Sequence, residues 1–188
     1  MPEANARADT QAKFRVDIRG SIEDVWQEIT RTDAPIAAFF NSRMEVGRLA
    51  AGSRLAMRTP DGKYTGVVGE ILEYDPPHRF AHTFRFTQYD DPPCTVIYDL
   101  EEGAQGVQFT LTVADMPVGT KTAKQMRQGG AMIVNTLKAV IETGRPAFGT
   151  RVLFGVFKLM APMTPKKCLS ENWPVDESVD TPAERSHP

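Results

Sequence analysis

The chain has 188 residues, 24% of them charged and 41% hydrophobic, with a formal net charge of −2. That length suits one domain with a substantial core rather than two comfortable ones. No basic run exceeds Lys166-Lys167, which excludes nucleic acid as the main partner, because phosphate neutralisation needs clustered Lys and Arg.

Residues 1–12 read as a flexible polar tail. The N-terminal stretch MPEANARADTQAK lacks the apolar run of a signal peptide, and nothing in the chain reaches the ~18 consecutive apolar residues of a membrane span. A cytoplasmic protein with no integral membrane association is expected. Phe14, Val16 and Ile18 alternate with Arg15, Asp17 and Arg19, the pattern of a strand with one wet face. GSIEDVWQEIT follows, with Ser21 placed to cap a helix whose Val25, Trp26 and Ile29 fall at helical spacing. A second short helix is expected around Ala34 to Phe40.

From Met44 to Val113 the period becomes two. Turn signals at Ala51-Gly52, Pro60-Asp61-Gly62, Asp75-Pro76-Pro77, Asp90 to Pro93 and Gly103 to Gly106 separate strands at 44–49, 53–59, 63–74, 79–88, 94–101 and 106–114. Short strands joined by tight turns predict an antiparallel meander. Lys121 to Thr143 reads as a long helix with Met126, Ile133, Val134, Leu137 and Ile141 on one side, stopped at Gly144. The space between such a helix and a curved sheet is the natural place for a cavity.

Two of the three histidines, His78 and His82, lie four residues apart. Pro76-Pro77 bars a helix there, and in a strand residues four apart are roughly 13 Å from one another. They cannot share one ion, so no metal and no cofactor is expected. His82 shares a strand face with Phe80, Phe84 and Phe86. Its ordinary role would be a hydrogen-bonded core residue, and its alternative role a polar group that orients a ligand. Tyr98, alternating with Val96 and Leu100, falls on the same parity, and Arg58 is a further polar strand residue placed near a cavity. Glu70 and Glu73 lie on opposite strand faces and make no acid/base pair. No GxSxG is present, and Cys94 and Cys168 have no metal or redox spacing.

SIEDVWQEIT, PDGKYTGVVGEILEYDPPHRF and TLKAVIETG together resemble the START/Bet v 1-like superfamily, and within it the branch of the C-terminal domain of the activator of the 90-kDa heat-shock chaperone ATPase. The resemblance runs from residue 14 to 144, and Gly66-x-Val68-x-Glu70 with Asp75-Pro76-Pro77-His78-Arg79-Phe80 is its most specific part. It implies an α+β helix-grip fold, in which a curved antiparallel sheet of about seven strands wraps around a long C-terminal helix, with two short helices after the first strand. In that frame Pro76-Pro77 stiffens a hairpin, Asp75 hydrogen-bonds the turn, and Phe80 enters the core. Two positions depart from the family pattern: Gly130 stands where relatives often carry Trp after the Gly matched by Gly129, and Val113 where they often carry His.

The domain is therefore expected over 13–145. Residues 146–173 form an apolar helix and extension packing on it, and 174–188 a disordered tail. In that helix Phe148, Val152, Val156, Leu159 and Met160 follow helical spacing, with Arg151, Gly155 and Lys158 opposite. The expected seat is the mouth of the cavity; a homodimer contact through 148–160 and a membrane surface are the other occupants. The expected function is binding of a small hydrophobic or amphipathic molecule, with His82, Phe80, Phe84, Phe86, Tyr98 and Arg58 as candidate ligand-binding residues. A cyclase- or hydrolase-like enzyme using His82 and Tyr98, and a chaperone co-factor-like interaction domain, are the alternatives.

Overall fold

The computed structural model describes residues 10–175; the rest of the two expected tails, 1–9 and 176–188, lies outside the described residues. The order is β1 (Ala12–Ile18), α1 (Ile22–Thr30), a 3-10 turn (Ala37–Phe39), β2 (Arg43–Val46), β3 (Arg54–Arg58), β4 (Thr65–Asp75), β5 (Arg79–Phe86), β6 (Cys94–Gly103), β7 (Gly106–Ala114), α2 (Lys121–Thr143) and α3 (Phe148–Met160). Three one-turn helices, Ala161–Met163, Lys166–Cys168 and Ser170–Asn172, follow.

The seven strands form one antiparallel sheet in the order β1-β7-β6-β5-β4-β3-β2. The meander from β2 to β7 follows from the tight turns. Asp75 closes the β4–β5 turn through its carbonyl, which accepts from His78 N–H at 2.8 Å. Register shifts at Met57/Arg58 and Ile71/Glu73 add local twist and curve the sheet. The concave face receives α2, which packs on β1, β7 and the 3-10 turn. The two layers bury Phe80, Phe109, Leu111, Val134 and Leu137 between them. This is the α+β helix-grip architecture, with the long helix gripped by the sheet.

Both main helices begin on side-chain caps. Ser21 Oγ accepts from Asp24 N–H at 3.0 Å, and Thr120 Oγ1 accepts from Ala123 N–H at 3.2 Å. α2 ends where Gly144 adopts φ 75° and its N–H reaches the Val140 carbonyl, a left-handed cap that glycine enters at no steric cost. Glu142 then locks this end to the β1–α1 turn. It accepts from Lys138 Nζ at 2.7 Å and Arg19 N–H at 2.9 Å. Those hydrogen bonds hold its carboxyl well below the usual range, at about 2.

Three expectations differ from what is found. The helix around Ala34 to Phe40 is reduced to the Ala37–Phe39 turn, because Phe40 and Asn41 both take positive φ (55° and 59°) and end it. The N-terminal tail is shorter, since Ala12 already pairs with Val113 and Thr10 carbonyl accepts from Met116 N–H. The apolar stripe of α3 is not covered by the described residues: α3 has no buried residue, and Phe148 (78%), Leu159 (82%), Val152, Val156 and Met160 are exposed.

Candidate functional site

Between the concave sheet and α2 lies a cavity of about 580 Å³. Its floor is built by strand alternation, which sends every second side chain to one face: Met57 from β3, Val67 from β4, His82, Phe84 and Phe86 from β5, Tyr98 from β6, Leu111 and Val113 from β7. Met126, Gly129, Met132 and Ile133 of α2 form the roof. Phe39 of the 3-10 turn and Phe40 just after it, with Phe157, Thr164 and Cys168 from the C-terminal segment, close one side. Among the described residues no Asp, Glu, Lys or Arg lines it.

The C-terminal wall is held by Arg58. Its guanidinium meets both Glu45 carboxylate oxygens, at 2.6 Å from Nε and 2.9 Å from Nη2. It also donates to Thr65 Oγ1 at 3.2 Å and to the Ser170 and Trp173 carbonyls at 3.2 and 3.1 Å. The segment is tied further by Ser170 N–H to the Lys63 carbonyl, and by Arg85 over the Trp173 ring at 5.1 Å.

His82 is the polar centre of the floor. Its ring is wholly shielded from solvent (0% exposed) and sits among Phe80, Phe84 and Tyr98 at centroid distances of 5.3, 6.4 and 5.8 Å. Nδ1–H donates to the Thr83 carbonyl at 2.7 Å. Since a carbonyl can only accept, Nδ1 carries the proton and Nε2 is left as a bare acceptor. Among the described residues Nε2 has no hydrogen-bond partner. Burial pushes the imidazole down to about 4, so it is neutral at ordinary pH. An unpaired buried acceptor costs about 1–3 kcal/mol, so the sheet carries this nitrogen at a loss.

The neighbouring groups are chemically quiet. Burial raises the Tyr98 phenol, and burial pushes the Cys94 thiol up to about 12; neither ionises near neutrality, and a thiol so placed is a poor nucleophile. Among the described residues, no group of three or more His, Cys, Asp or Glu could hold a metal ion, and no helix is long and apolar enough to cross a membrane. A second, open groove of about 800 Å³ between the ends of α1 and α2 is polar. Its Arg31 is paired with Glu28 at 3.2 Å and Asp33 at 3.1 Å.

Of the six residues singled out in the sequence, His82, Phe84, Phe86 and Tyr98 are brought together on the cavity floor. Phe80 lies deeper, at 0% exposure, between Tyr74 and Tyr98. Arg58 anchors the C-terminal segment and is not part of the lining. The sequence reading missed Met57, Met132 and the C-terminal residues. Met132 sits on the helix period next to Ile133 and could have been found; Thr164 and Cys168 arrive through contacts that no local period records.

No curated protein matches the chain. Solved structures do share the fold. DynU16, a protein of the dynemicin biosynthetic locus, matches with TM-score 0.59 and 21% identity over 73% of this chain and 49% of its own. The HSP90 activator PFC0360w of Plasmodium falciparum matches with TM-score 0.55 and 17% identity, over 73% of this chain and 98% of its own. The Aha1 dimer of Colwellia psychrerythraea matches with TM-score 0.56 and 16% identity, over 71% and 97%. At these identities the likeness is one of fold. The family model described as activator of Hsp90 ATPase homolog 1-like protein matches residues 19–142. With most of the helix-grip domain inside that match, the chain belongs to the activator of Hsp90 ATPase homolog 1-like family.

Proposed function

We propose that this protein binds a small hydrophobic or amphipathic molecule between its sheet and α2. One observation carries the reading: a cavity of about 580 Å³ lined mainly by aromatic, aliphatic and thioether groups, with hydroxyl and amide side chains such as Thr65 and Gln125 among them and no charged side chain among the described residues. Ligand sites are concave, mostly apolar and furnished with a few polar groups, whereas an interior meant only for stability packs to near-crystalline density. The enzyme alternative is less well supported. His82 is oriented by a backbone carbonyl, and among the described residues no carboxylate stands in the lining to serve as acid or base. The chaperone co-factor alternative rests on family membership and the Plasmodium falciparum structure's name alone. Native mass spectrometry of the purified chain tests the proposal. The expected result is an organic adduct released on unfolding, with a melting temperature that falls once it is removed. A bare chain, unaffected by added hydrophobic molecules, counts against it.

A second copy of the chain is the occupant we assign to the uncovered stripe of α3. Phe148, Val152, Val156, Leu159 and Met160 form a contiguous exposed apolar face, larger in character than the scattered hydrophobics of a monomer surface. A fold relative from Colwellia psychrerythraea is a dimer. Arg151 and Lys158 lie on the opposite side of the helix, so a two-fold contact through the stripe is apolar and salt should not weaken it. Sedimentation equilibrium at rising salt reads this directly. Docking on an anionic lipid surface would weaken with salt instead, and a monomer at every salt concentration removes the assignment.

A further inference from the structure

Three features of His82 converge. Its Nδ1–H is committed to the Thr83 carbonyl, on the strand backbone. Its Nε2, the ring nitrogen farther from the backbone, is therefore left as a lone-pair acceptor. Among the described residues no donor reaches that atom, and it is shielded from solvent. The ring is nonetheless part of the cavity floor, beside Phe84 and Tyr98. A core histidine that served packing alone would have both nitrogens satisfied or would be replaced by an apolar ring at no loss.

From this geometry we infer that the ligand is an uncharged apolar molecule carrying a hydroxyl or N–H group, which it donates to His82 Nε2. The inference rests on the cavity being a ligand site. Charge is excluded from the ligand because no counter-charge lines the cavity among the described residues, and an unpaired ion would lose its hydration without compensation. A donor is required because Nε2 can only accept while Nδ1 holds the proton. A ligand offering only acceptors, such as an ether or a ketone, would leave the nitrogen orphaned and gain nothing from it. Phe84 is only half-buried and packs edge-on against Phe86 at 4.8 Å.

The test compares 2-naphthol with 2-fluoronaphthalene, which are close in shape and differ in the donated hydrogen. In the wild-type chain both should bind, with 2-naphthol favoured roughly three- to tenfold, the worth of one hydrogen bond. In His82→Phe the preference should collapse to about one while 2-fluoronaphthalene binding persists. Because that variant could fold poorly, ¹⁵N-histidine NMR of the wild-type chain gives an independent reading. The unprotonated Nε2 resonance of His82 should move upfield with 2-naphthol and stay put with 2-fluoronaphthalene. Equal affinities with an unmoved resonance overturn this inference and leave the cavity reading intact. Failure of both probes to bind the wild-type chain overturns the two together.

Discussion

At the scale of residues, His82 and the Gly129-Gly130 pair carry the most information. The His82 imidazole is held at about 4 in the fold by burial, against about 6.5 in an unfolded chain. A lowered histidine value means that the unfolded state takes up the proton first as pH falls. Stability is therefore unaffected above about pH 6.5 and declines between there and about pH 4, by at most roughly 3 kcal/mol. Urea unfolding across that window should show the decline in the wild-type chain and lose it in His82→Phe. A variant with the same slope would mean that other groups cause it. The two glycines make opposite predictions. A Cβ on Gly130 would lie 2.1 Å from the Phe14 ring, while one on Gly129 would meet only the tip of Phe40, at 3.3 Å. Gly129→Ala should gain something under 1 kcal/mol of helix propensity. Gly130→Ala should lose about 1–3 kcal/mol through overpacking, despite the same propensity gain. The sequence shows two helix-weakening glycines; only the structure shows that Phe14 occupies the space a side chain at Gly130 would need.

At the scale of elements, the sheet and α2 were legible because period and punctuation are local. Alternation places His82, Phe84 and Phe86 on one face, and the turn residues divide the strands. Lys121 and Gly144 bound α2 where the apolar period starts and the left-handed cap ends it. The 3-10 turn reads as a helix in the sequence because the positive φ of Phe40 belongs to a residue that usually avoids it, and the tolerance of Asn41 for that region is a weak signal on its own. Arg58 was read as a cavity residue because strand parity says nothing about a segment 112 to 115 positions further along the chain. Its position predicts a specific failure. Arg58→Met keeps the apolar stem but removes the charged hydrogen bonds to the Ser170 and Trp173 carbonyls, each worth up to about 3 kcal/mol. The segment carrying Thr164 and Cys168 should detach. Trypsin cleavage at Lys166-Lys167 should then accelerate while β3 to β7 remain protected; unchanged cleavage would show that the segment is held by its other contacts.

At the scale of the whole molecule, the fold forms a cradle whose open side is completed by chain outside the family match at residues 19–142. Phe157, Thr164 and Cys168 are wall residues, so a chain ending after Gly144 should exchange bound hydrophobic probes faster and melt at a lower temperature. If exchange by stopped-flow fluorescence is unchanged, the C-terminal segment is no barrier to the cavity. Uptake of a small hydrophobic molecule by the cavity is read out by methionine-methyl NMR during titration with 2-fluoronaphthalene. Met57, Met126 and Met132 line the cavity, Met44 and Met116 are buried away from it, and Met160 and Met163 are exposed on the C-terminal segment. Saturable shifts at Met57, Met126 and Met132, with Met44 and Met116 unmoved, are the predicted result. Shifts confined to Met160 and Met163, or none that saturate, would contradict it.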